Sequence, residues 1–590
     1  MAAATTTSRS ERLGWVAALC LSLTAGCSGC DDSSKAPSSS ASAAAAELSP
    51  VPAPEGLIAD LFVPAPGETW RGLRDTAGVA LLPQSYGLLL ATVLGLPLTV
   101  AEAFDDRALT VGGVMMAATG EPLVVLGAQV RSGPELIANL STGDNARFDA
   151  RRDDGSGLTR LVAKPGKASA DVTLAVIGNR LLFSQSSEAM DQLGPYVGRS
   201  LHRRRVTGSG VIAEIAKGAL RGPVHALVKQ RWQSTRDALD VADRDNRQKR
   251  GGRTPDFGDP QAALLGLGDK VAALLEVLEN ADGARVTLES RAGVTALRAE
   301  VNPGSSKEAM DWVRGLSAGD ARPLLSLPAT TVLAIQSRST AAARMEGAES
   351  TTASVSKLLA ERLSPADAKK VSAALSQLAV GRGDDAVVGV LLGDPSGVVY
   401  RGSLSDPKAF DAGAKALFGL LELPAFKEPL RQFAGDMTVK RSTATVAGLP
   451  TRVERVLLTV KPSGMRLGAD PSGTKAAAPE PIDVLWTVQD GVALGAVAKD
   501  AVPLLVTLST ATGDRTWAGS PNAAAAVERL GDRAAFVAAV RPGALLPRAE
   551  SEAQGVATLA LGKRESHPWL ELVLDRESLR ALVKGAILGR

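Results

Sequence analysis

The sequence repeats one order of strands, hairpins and helices, and this repetition limits the possible folds more than any other feature. A strand pattern at 57–63 recurs at 331–335, and helix-like sequence follows each copy. A hairpin pattern at 109–130 recurs at 386–404, where Asp394-Pro395-Ser396-Gly397 supplies the turn. Proline pre-sets φ and glycine closes the bend, so this tetrapeptide favours a turn. We therefore expect an internal duplication.

A helix with its own start signal follows each of these hairpin patterns. Ser132 and Glu135 have the spacing of a capping box, and Asp406 in the second copy stands before a proline as an N-cap residue. A second hairpin pattern then recurs, at 171–185 and at 483–497. An Asp-Gly pair separates the two apolar runs of the later copy, which is a strong hairpin signal.

A shorter set of elements completes each half. It begins with strand patterns at 224–228 and 535–540 and continues with hairpin patterns at 285–301 and 556–574. In the last of these, every second residue from 570 to 574 is leucine. This alternation indicates that one face of the hairpin is buried and the other is exposed to solvent.

These patterns predict an α+β fold of tandem hairpin–helix modules, with mostly antiparallel sheets, helices packed on one face and an internal duplication. The most apolar run of the body, Tyr86–Val100, is short and contains Pro97, so a buried helix is a better interpretation than a membrane span. The predicted domains are a signal segment at 1–26, a tether at 27–55, a first half at 56–325 with modules 56–200 and 201–325, and a second half at 326–590 with modules 326–510 and 511–590.

Composition excludes several classes of function. The chain has 590 residues, of which 45% are hydrophobic and 22% charged, and 66 Lys and Arg against 63 Asp and Glu give a formal charge of +3. It is too apolar for a wholly disordered protein and too lightly charged for a nucleic-acid-binding one, so we expect no nucleic-acid partner. Three cysteines are too few for a disulfide scaffold.

The N-terminus has the features of an export signal. Arg9 and Arg12 precede the apolar run Leu13–Leu23, and Thr24-Ala25-Gly26-Cys27 follows. Together with Leu23, these last residues resemble the lipobox of bacterial lipoproteins. The resemblance implies cleavage before Cys27 and lipidation of its thiol; an ordinary secretory signal cut near the same point is the alternative. Several acyl chains, at about 0.8 kcal/mol per buried CH₂, would attach the chain lastingly to a membrane.

A tether separates this cysteine from the body. Ser, Ala and Pro dominate from Asp31 to Pro54, a composition typical of linkers. Cys30 is the other cysteine left after cleavage, and an inert thiol, a second acylation site or an intermolecular bridge are its possible roles. Ser28 follows Cys27, which by resemblance to enterobacterial sorting favours the outer over the inner membrane of the bacterial cell envelope.

Two short motifs of hydrolases occur in the wrong context. Gly315–Gly319 matches G-x-S-x-G, but a nucleophile elbow needs a strand before it and a helix after it. Here a helix pattern precedes the motif, so we interpret it as a helix end. Ser354–Lys357 matches S-x-x-K without the companion motifs of penicillin-recognising enzymes, so we expect a solvated helix face.

Histidines and paired acids form no recognisable site. His202, His225 and His567 lack a second ligand at metal-binding spacing, and we place His225 in an apolar strand. Asp384 and Asp385 follow a glycine, where a turn role suffices.

Basic residues cluster at two places. Arginines fill 203–205, and a longer cluster at 244–253 lies in a charged insert at 231–260. Acidic lipid headgroups or cell-wall polymer are the ligands that such clusters could bind. A solvated, mobile loop is the better interpretation of the longer cluster.

The sequence thus predicts no catalytic residue, no cofactor and no metal site, and Cys27 as the lipidation site. We expect a non-enzymatic interaction or scaffold protein, bound to the membrane through Cys27 and to an envelope protein or lipid. The body resembles uncharacterised bacterial lipoproteins with repeated hairpin–helix modules. The alternative is a carrier of a lipid or other amphiphile, with Leu88–Val100 as a lid over the sheet; an envelope hydrolase ranks third.

Overall fold

The computed structural model describes residues 48–580 except 79–81, 118, 145, 167–171, 250–264, 305, 360–361, 393, 429–435, 462–480 and 546–554. The signal segment, the lipobox with Cys27, and Cys30 lie outside the described residues. Helices make up 41% and strands 34% of the structure, and all strand pairing is antiparallel. The α+β prediction is therefore confirmed.

The chain divides into two compact units, each built from separate stretches. Of the described residues, the first comprises those of 48–226, Ala281–Gly304 and 571–580. The second comprises Leu227–Asn280 and Ser305–Leu570. The predicted halves, 56–325 and 326–590, are continuous ranges that follow the sequence repeat, whereas the compact units are assembled from separate stretches. The predicted domain boundaries stay predictions.

The first unit contains β1 to β10. Its elements up to Ala226 are β1 (Leu57–Val63), α1 (Pro66–Ala77), α2 (Tyr86–Val93), a 3₁₀ segment (Leu98–Ala103), β2 (Thr110–Met116), β3 (Pro122–Gln129), α3 (Gly133–Ser141), β4 (Phe148–Asp153), β5 (Leu158–Ala163), β6 (Thr173–Ile177), β7 (Arg180–Ser184), α4 (Ser187–Gln192), α5 (Gly194–Arg199), a 3₁₀ turn (Leu201–Arg203), β8 (Val211–Ala216), an α-helical turn (Lys217–Ala219) and a π-helical turn (Leu220–Val224). The helices α6 (His225–Lys249) and α7 (Leu265–Asn280) follow, and from Leu227 onward they belong to the second unit. The strands β9 (Gly283–Arg291) and β10 (Val294–Asn302) then complete the first unit. Pairing orders these strands β10-β9-β8-β1-β2-β3-β7-β6-β5-β4.

The second unit contains β11 to β20, the last of them as far as Leu570. Its further elements are α8 (Lys307–Gly315), a 3₁₀ segment (Arg322–Ser326), β11 (Thr331–Arg338), α9 (Ala341–Leu359), α10 (Pro365–Gly381), β12 (Arg382–Leu391), β13 (Gly397–Leu404), α11 (Pro407–Leu420), β14 (Asp436–Ala444), β15 (Val453–Lys461), β16 (Pro481–Gln489), β17 (Val492–Ala498), α12 (Val502–Thr510), 3₁₀ turns (Gly513–Arg515 and Trp517–Gly519), α13 (Pro521–Leu530), β18 (Ala534–Val540), a 3₁₀ segment (Pro542–Leu545), β19 (Ala557–Arg564) and β20 (His567–Asp575). Pairing orders these strands β20-β19-β18-β11-β12-β13-β17-β16-β15-β14.

The two strand orders are identical when β1 is matched with β11, β2 with β12, and so on to β20. Residue registers match as well. Gly112 of β2 lies opposite Leu126 of β3, and Val388, at the matching place in β12, lies opposite Tyr400 of β13. The predicted duplication is therefore present as a repeated topology.

Helices cover both faces of the central strands, whereas the sequence predicted helices on one face. In β7, Leu181 and Phe183 join a core with α1, α2 and α3, while Leu182 joins a core with α4 and α5. In the second unit, Leu485 and Trp486 divide in the same way between two cores. Successive side chains of a strand point to opposite faces, and both sets are apolar here, so both faces are buried.

Two predictions for the middle of the first half are wrong. Residues 224–228 are not a strand: His225 begins α6, and the strand that matches 535–540 is β8. The longer basic cluster, predicted as a loop, is helical as far as Lys249. A short apolar run does not distinguish a strand from a helix by itself, and here it continues into a sequence rich in helix-forming residues.

The last hairpin turns Glu571 and Val573 inward rather than the leucines. Leu570 is 47% and Leu572 37% exposed, while Val573 is 4% exposed. Trp569 is buried over Gly562, where an added Cβ would lie 2.5 Å from the indole ring. Burial of this large ring fixes the inward face, and strand alternation then places residues 571 and 573 on the same side.

The apolar run at 86–100 is folded into the first unit, as predicted. Leu90, Leu94 and Val100 are buried in the core that contains α1 and α3. In the part of the chain that the structure describes, no helix is long and apolar enough to cross a bilayer.

Candidate binding pocket

An apolar pocket of about 170 Å³ lies between the strands and the helices α1 and α2 of the first unit. Strands β1, β2, β3, β7 and β8 form one wall and the two helices form the other. The lining consists of Leu61, Val63, Pro66, Thr69, Trp70, Leu73, Tyr86, Leu89, Leu90, Thr110, Val111, Val114, Leu126, Phe183 and Val211. Ligand sites in proteins are typically concave and mostly apolar, with few polar groups, as here.

Helical spacing places the lining side chains of α1 on one face. They are Pro66, Thr69, Trp70 and Leu73, at positions i, i+3, i+4 and i+7. The indole Nε1 of Trp70 donates a hydrogen bond of 2.8 Å to the carbonyl oxygen of Pro83. This bond fixes the ring in the pocket wall.

A cap and a close approach position helix α2. The Ser85 hydroxyl accepts a hydrogen bond of 3.2 Å from the backbone N–H of Leu88 and begins the helix. At Gly87 an added Cβ would lie 2.1 Å from the carbonyl oxygen of Ala101. Glycine therefore allows α2 to lie against Leu98–Ala103, and the helix turns Tyr86, Leu89 and Leu90 toward the pocket.

Strand register builds the opposite wall. Leu61, Gly112, Leu126 and Phe183 lie side by side across β1, β2, β3 and β7. An added Cβ at Gly112 would lie 2.5 Å from Cδ2 of Leu126. The glycine thus leaves room for the leucine side chain to cover β2.

Uncharged hydroxyls are the polar groups of this lining. The Tyr86 and Thr110 hydroxyl oxygens are 3.0 Å apart and hydrogen-bonded, and Thr69 contributes a third hydroxyl. Burial raises the pKa of Tyr86 to about 12, which outweighs the opposite effect of the Thr110 hydrogen bond. Tyr86 therefore stays protonated at neutral pH, and the lining carries no charge.

The pocket is partly open to solvent. Its half-buried lining residues are Leu61, Val63, Leu89, Val114 and Leu126, and the others are buried. An apolar cavity of about 150 Å³ in another protein stays dry and binds benzene. The size and surface of this pocket therefore suit one ring or one short alkyl group.

The hydrolase-like motifs lie in structural positions. Gly315 is the last residue of α8, and the motif that starts there runs into a loop, as predicted. Ser354–Lys357 lies within α9, where Lys357 is exposed. Neither segment lines the pocket.

The three histidines lie on three different elements. His202 belongs to the 3₁₀ turn after α5, His225 begins α6, and His567 begins β20. Among the described residues, no group of three or more His, Cys, Asp or Glu could hold a metal ion.

The paired acids, and Arg204 of the shorter basic cluster, form ion pairs within the fold. Asp384 pairs with the buried Arg344 at 2.8 Å, and Asp385 with Arg338 at 2.5 Å, so both do more than begin a strand. Arg204 pairs with Asp60 and Glu214. The longer cluster belongs to α6 up to Lys249, and the rest of it lies outside the described residues.

Sequence reasoning missed most of the pocket. The proposed lid, Leu88–Val100, contributes Leu89 and Leu90, while its later residues belong to the core. The sequence did hold one signal for the pocket. Aromatic residues are only 3% of the chain, and three of them, Trp70, Tyr86 and Phe183, line this one site.

Comparison with known proteins gives no relative. No protein-family model, no curated protein and no solved structure matches this chain. The pocket geometry is therefore the basis for a functional assignment.

Proposed function

We propose that the protein is a lipid-anchored carrier of the bacterial envelope, whose first unit binds a small apolar molecule. The observation that carries this proposal is the pocket of about 170 Å³ between the strands and helices α1 and α2. Transfer of apolar surface from water into such a site is worth about 25 cal/mol per Å². The lipobox resemblance at Cys27 supports the location.

A binding role suits the pocket better than a catalytic one. Its lining contains no carboxylate, histidine, lysine, arginine or thiol, so it offers no general base and no activated nucleophile. The threonine and tyrosine hydroxyls have no base among the lining residues. The first unit can therefore shelter a ligand from water without transforming it.

The matched strands provide a test with an internal control. Val114 of β2 lines the pocket, and Val390 of β12 holds the matching register position in the second unit. Both side chains are half-buried. Fluorobenzene binding, followed by ¹⁹F NMR, should weaken at least about tenfold in Val114→Phe, because the added ring occupies the pocket. Val390→Phe should bind fluorobenzene as the wild type does.

Two results would contradict the proposal. One is a wild-type protein that does not bind fluorobenzene or its alkylated relatives. The other is equal weakening in both variants, which would place the binding elsewhere. A melting temperature measured for each variant separates loss of the pocket from loss of the fold.

The interaction or scaffold function stays our second candidate. Helix α6 favours it, because its 25 residues include the exposed apolar side chains Leu227 (51%) and Val241 (55%). Crosslinking of envelopes followed by purification should recover one specific protein partner, and Leu227→Asp should abolish that crosslink. Co-purification of lipid without a protein partner would favour the carrier.

A further inference from the structure

A pair of hydroxyl groups is buried in the wall of this largely apolar pocket. Tyr86 is 6% and Thr110 5% exposed, and their hydroxyl oxygens are 3.0 Å apart. Their mutual hydrogen bond uses one of the two O–H groups, whichever of the two is the donor. In the described part of the chain neither hydroxyl makes another hydrogen bond, so one O–H donor remains.

An unused buried donor favours a ligand that supplies an acceptor. A buried polar group without a partner destabilises the site, and a ligand oxygen would remove that penalty. A charged oxygen would not be suitable, because the lining holds no cation to offset the loss of hydration. Tyr86 stays a neutral hydroxyl, because burial raises its pKa to about 12.

We infer that the pocket selects neutral, largely apolar molecules that carry one hydrogen-bond acceptor, such as a carbonyl or ether oxygen, bound by the Tyr86–Thr110 hydroxyl pair. This inference rests on the proposed function and names its ligand class. Specificity then comes from one hydrogen bond, because a site built to bond a polar group rejects an analogue that lacks it.

The test compares two ligands of nearly the same shape. Acetophenone has a carbonyl oxygen where α-methylstyrene has a CH₂ group. The ratio of their two dissociation constants therefore measures how much the acceptor oxygen contributes to binding. The double variant Tyr86→Phe with Thr110→Val removes both hydroxyls and preserves the approximate volume. We expect this substitution to weaken acetophenone binding about tenfold relative to α-methylstyrene.

The outcomes separate this inference from the proposed function. An unchanged ratio in the double variant would overturn the hydroxyl-pair inference while leaving an apolar binding site intact. Absence of α-methylstyrene binding in the wild type would overturn the proposed function itself. Benzoate binding as tight as that of acetophenone would contradict the preference for neutral ligands.

A measurement on the wild type keeps the inference testable if the double variant does not fold. The carbonyl stretching band of acetophenone moves to lower frequency when its oxygen accepts a hydrogen bond. Bound acetophenone should therefore absorb at lower frequency than acetophenone in a hydrocarbon solvent. A band at the hydrocarbon position would overturn the inference.

Discussion

Asp60 carries a buried carboxylate on β1, on the strand face opposite to the pocket. The Tyr196 hydroxyl donates to both its oxygens, at 3.2 and 3.3 Å, and Arg204 forms an ion pair with it. The Arg204 guanidinium also lies 5.2 Å from the ring centroid of Phe62 and pairs with Glu214. Burial of a charge destabilises a fold unless such partners are present, so this cluster holds α5 and the following turn to β1.

The pKa of Asp60 predicts how this cluster responds to pH. Burial raises that pKa, and this effect outweighs the ion pair with Arg204 and the Tyr196 hydrogen bond, which lower it. The folded chain therefore holds the proton more tightly than the unfolded chain. The resulting stability is fully present below the ordinary carboxyl pKa of about 3.9 and is lost as the pH rises through the raised value.

We expect the wild type to lose stability relative to Asp60→Asn as the pH rises over this window. The measurement is the free energy of unfolding of both proteins from about pH 4 to about pH 7. The substituted side chain cannot titrate, so other groups cancel in the difference. The free energy of unfolding of the wild type minus that of Asp60→Asn should therefore fall as the pH rises. A value that stays constant or increases with pH would contradict this assignment.

Helix starts were predictable because capping is local. The Ser132 hydroxyl accepts a hydrogen bond of 3.3 Å from the backbone N–H of Glu135, as the capping-box spacing predicts. Asp406 accepts two, from the N–H groups of Lys408 and Ala409, at 2.9 and 3.0 Å. These residues begin α3 and α11, which follow matching hairpins in the two units.

The two caps should differ in their contribution to stability. Asp406→Ala removes two short, charge-assisted hydrogen bonds and a carboxylate at a helix N-terminus, so we expect a loss of about 1–2 kcal/mol in the free energy of unfolding. Ser132→Ala removes one longer bond and should cost about 0.5–1 kcal/mol. Denaturant unfolding of both variants checks this order, and an equal or reversed loss would refute it.

The errors in the sequence prediction arose where one local pattern is compatible with two structures, a strand or a helix in one case and either buried face of a strand in the other. The strand expected at 224–228 and the helix that begins at His225 share the same short apolar run. In β20 the leucines alternate correctly, but the burial of Trp569 over Gly562 decides which face turns inward. Both decisions depend on tertiary contacts that no window of sequence contains.

The pocket was unpredictable for a related reason. Its lining runs from Leu61 to Val211 along the chain and is assembled by strand register and by the placement of two helices. The sequence did indicate an apolar segment over a sheet, and Leu89 and Leu90 of that segment are part of the lining. The donor pair of Tyr86 and Thr110 became visible only once β2 and α2 had been placed together.

Across the molecule, one topology is used twice with different side chains at matching places. Gly112 and Leu126 in the first unit correspond to Val388 and Tyr400 in the second. The Tyr400 ring stacks on Phe410 of α11, with ring centroids 6.5 Å apart. The repeat therefore preserved strand order while the surfaces against the helices diverged, so each unit can serve a separate purpose.

The predicted anchor has a matched control three residues away. Cys27→Ala should release the protein from membranes into the soluble fraction, because it removes the thiol that the lipobox resemblance assigns to lipidation. Cys30→Ala should leave the protein on the membrane. Fractionation with immunoblotting checks both variants. Retention of Cys27→Ala on the membrane would refute lipid anchoring through this residue.

The division of the compact units has a consequence for the order in which the protein can be completed. The pocket-bearing first unit includes the chain from Glu571 onward, and the second unit ends at Leu570. A chain emerges from the ribosome with its N-terminus first. The first unit is therefore completed only after the second has been synthesised, and its early strands leave the ribosome before residues 571–575 of β20.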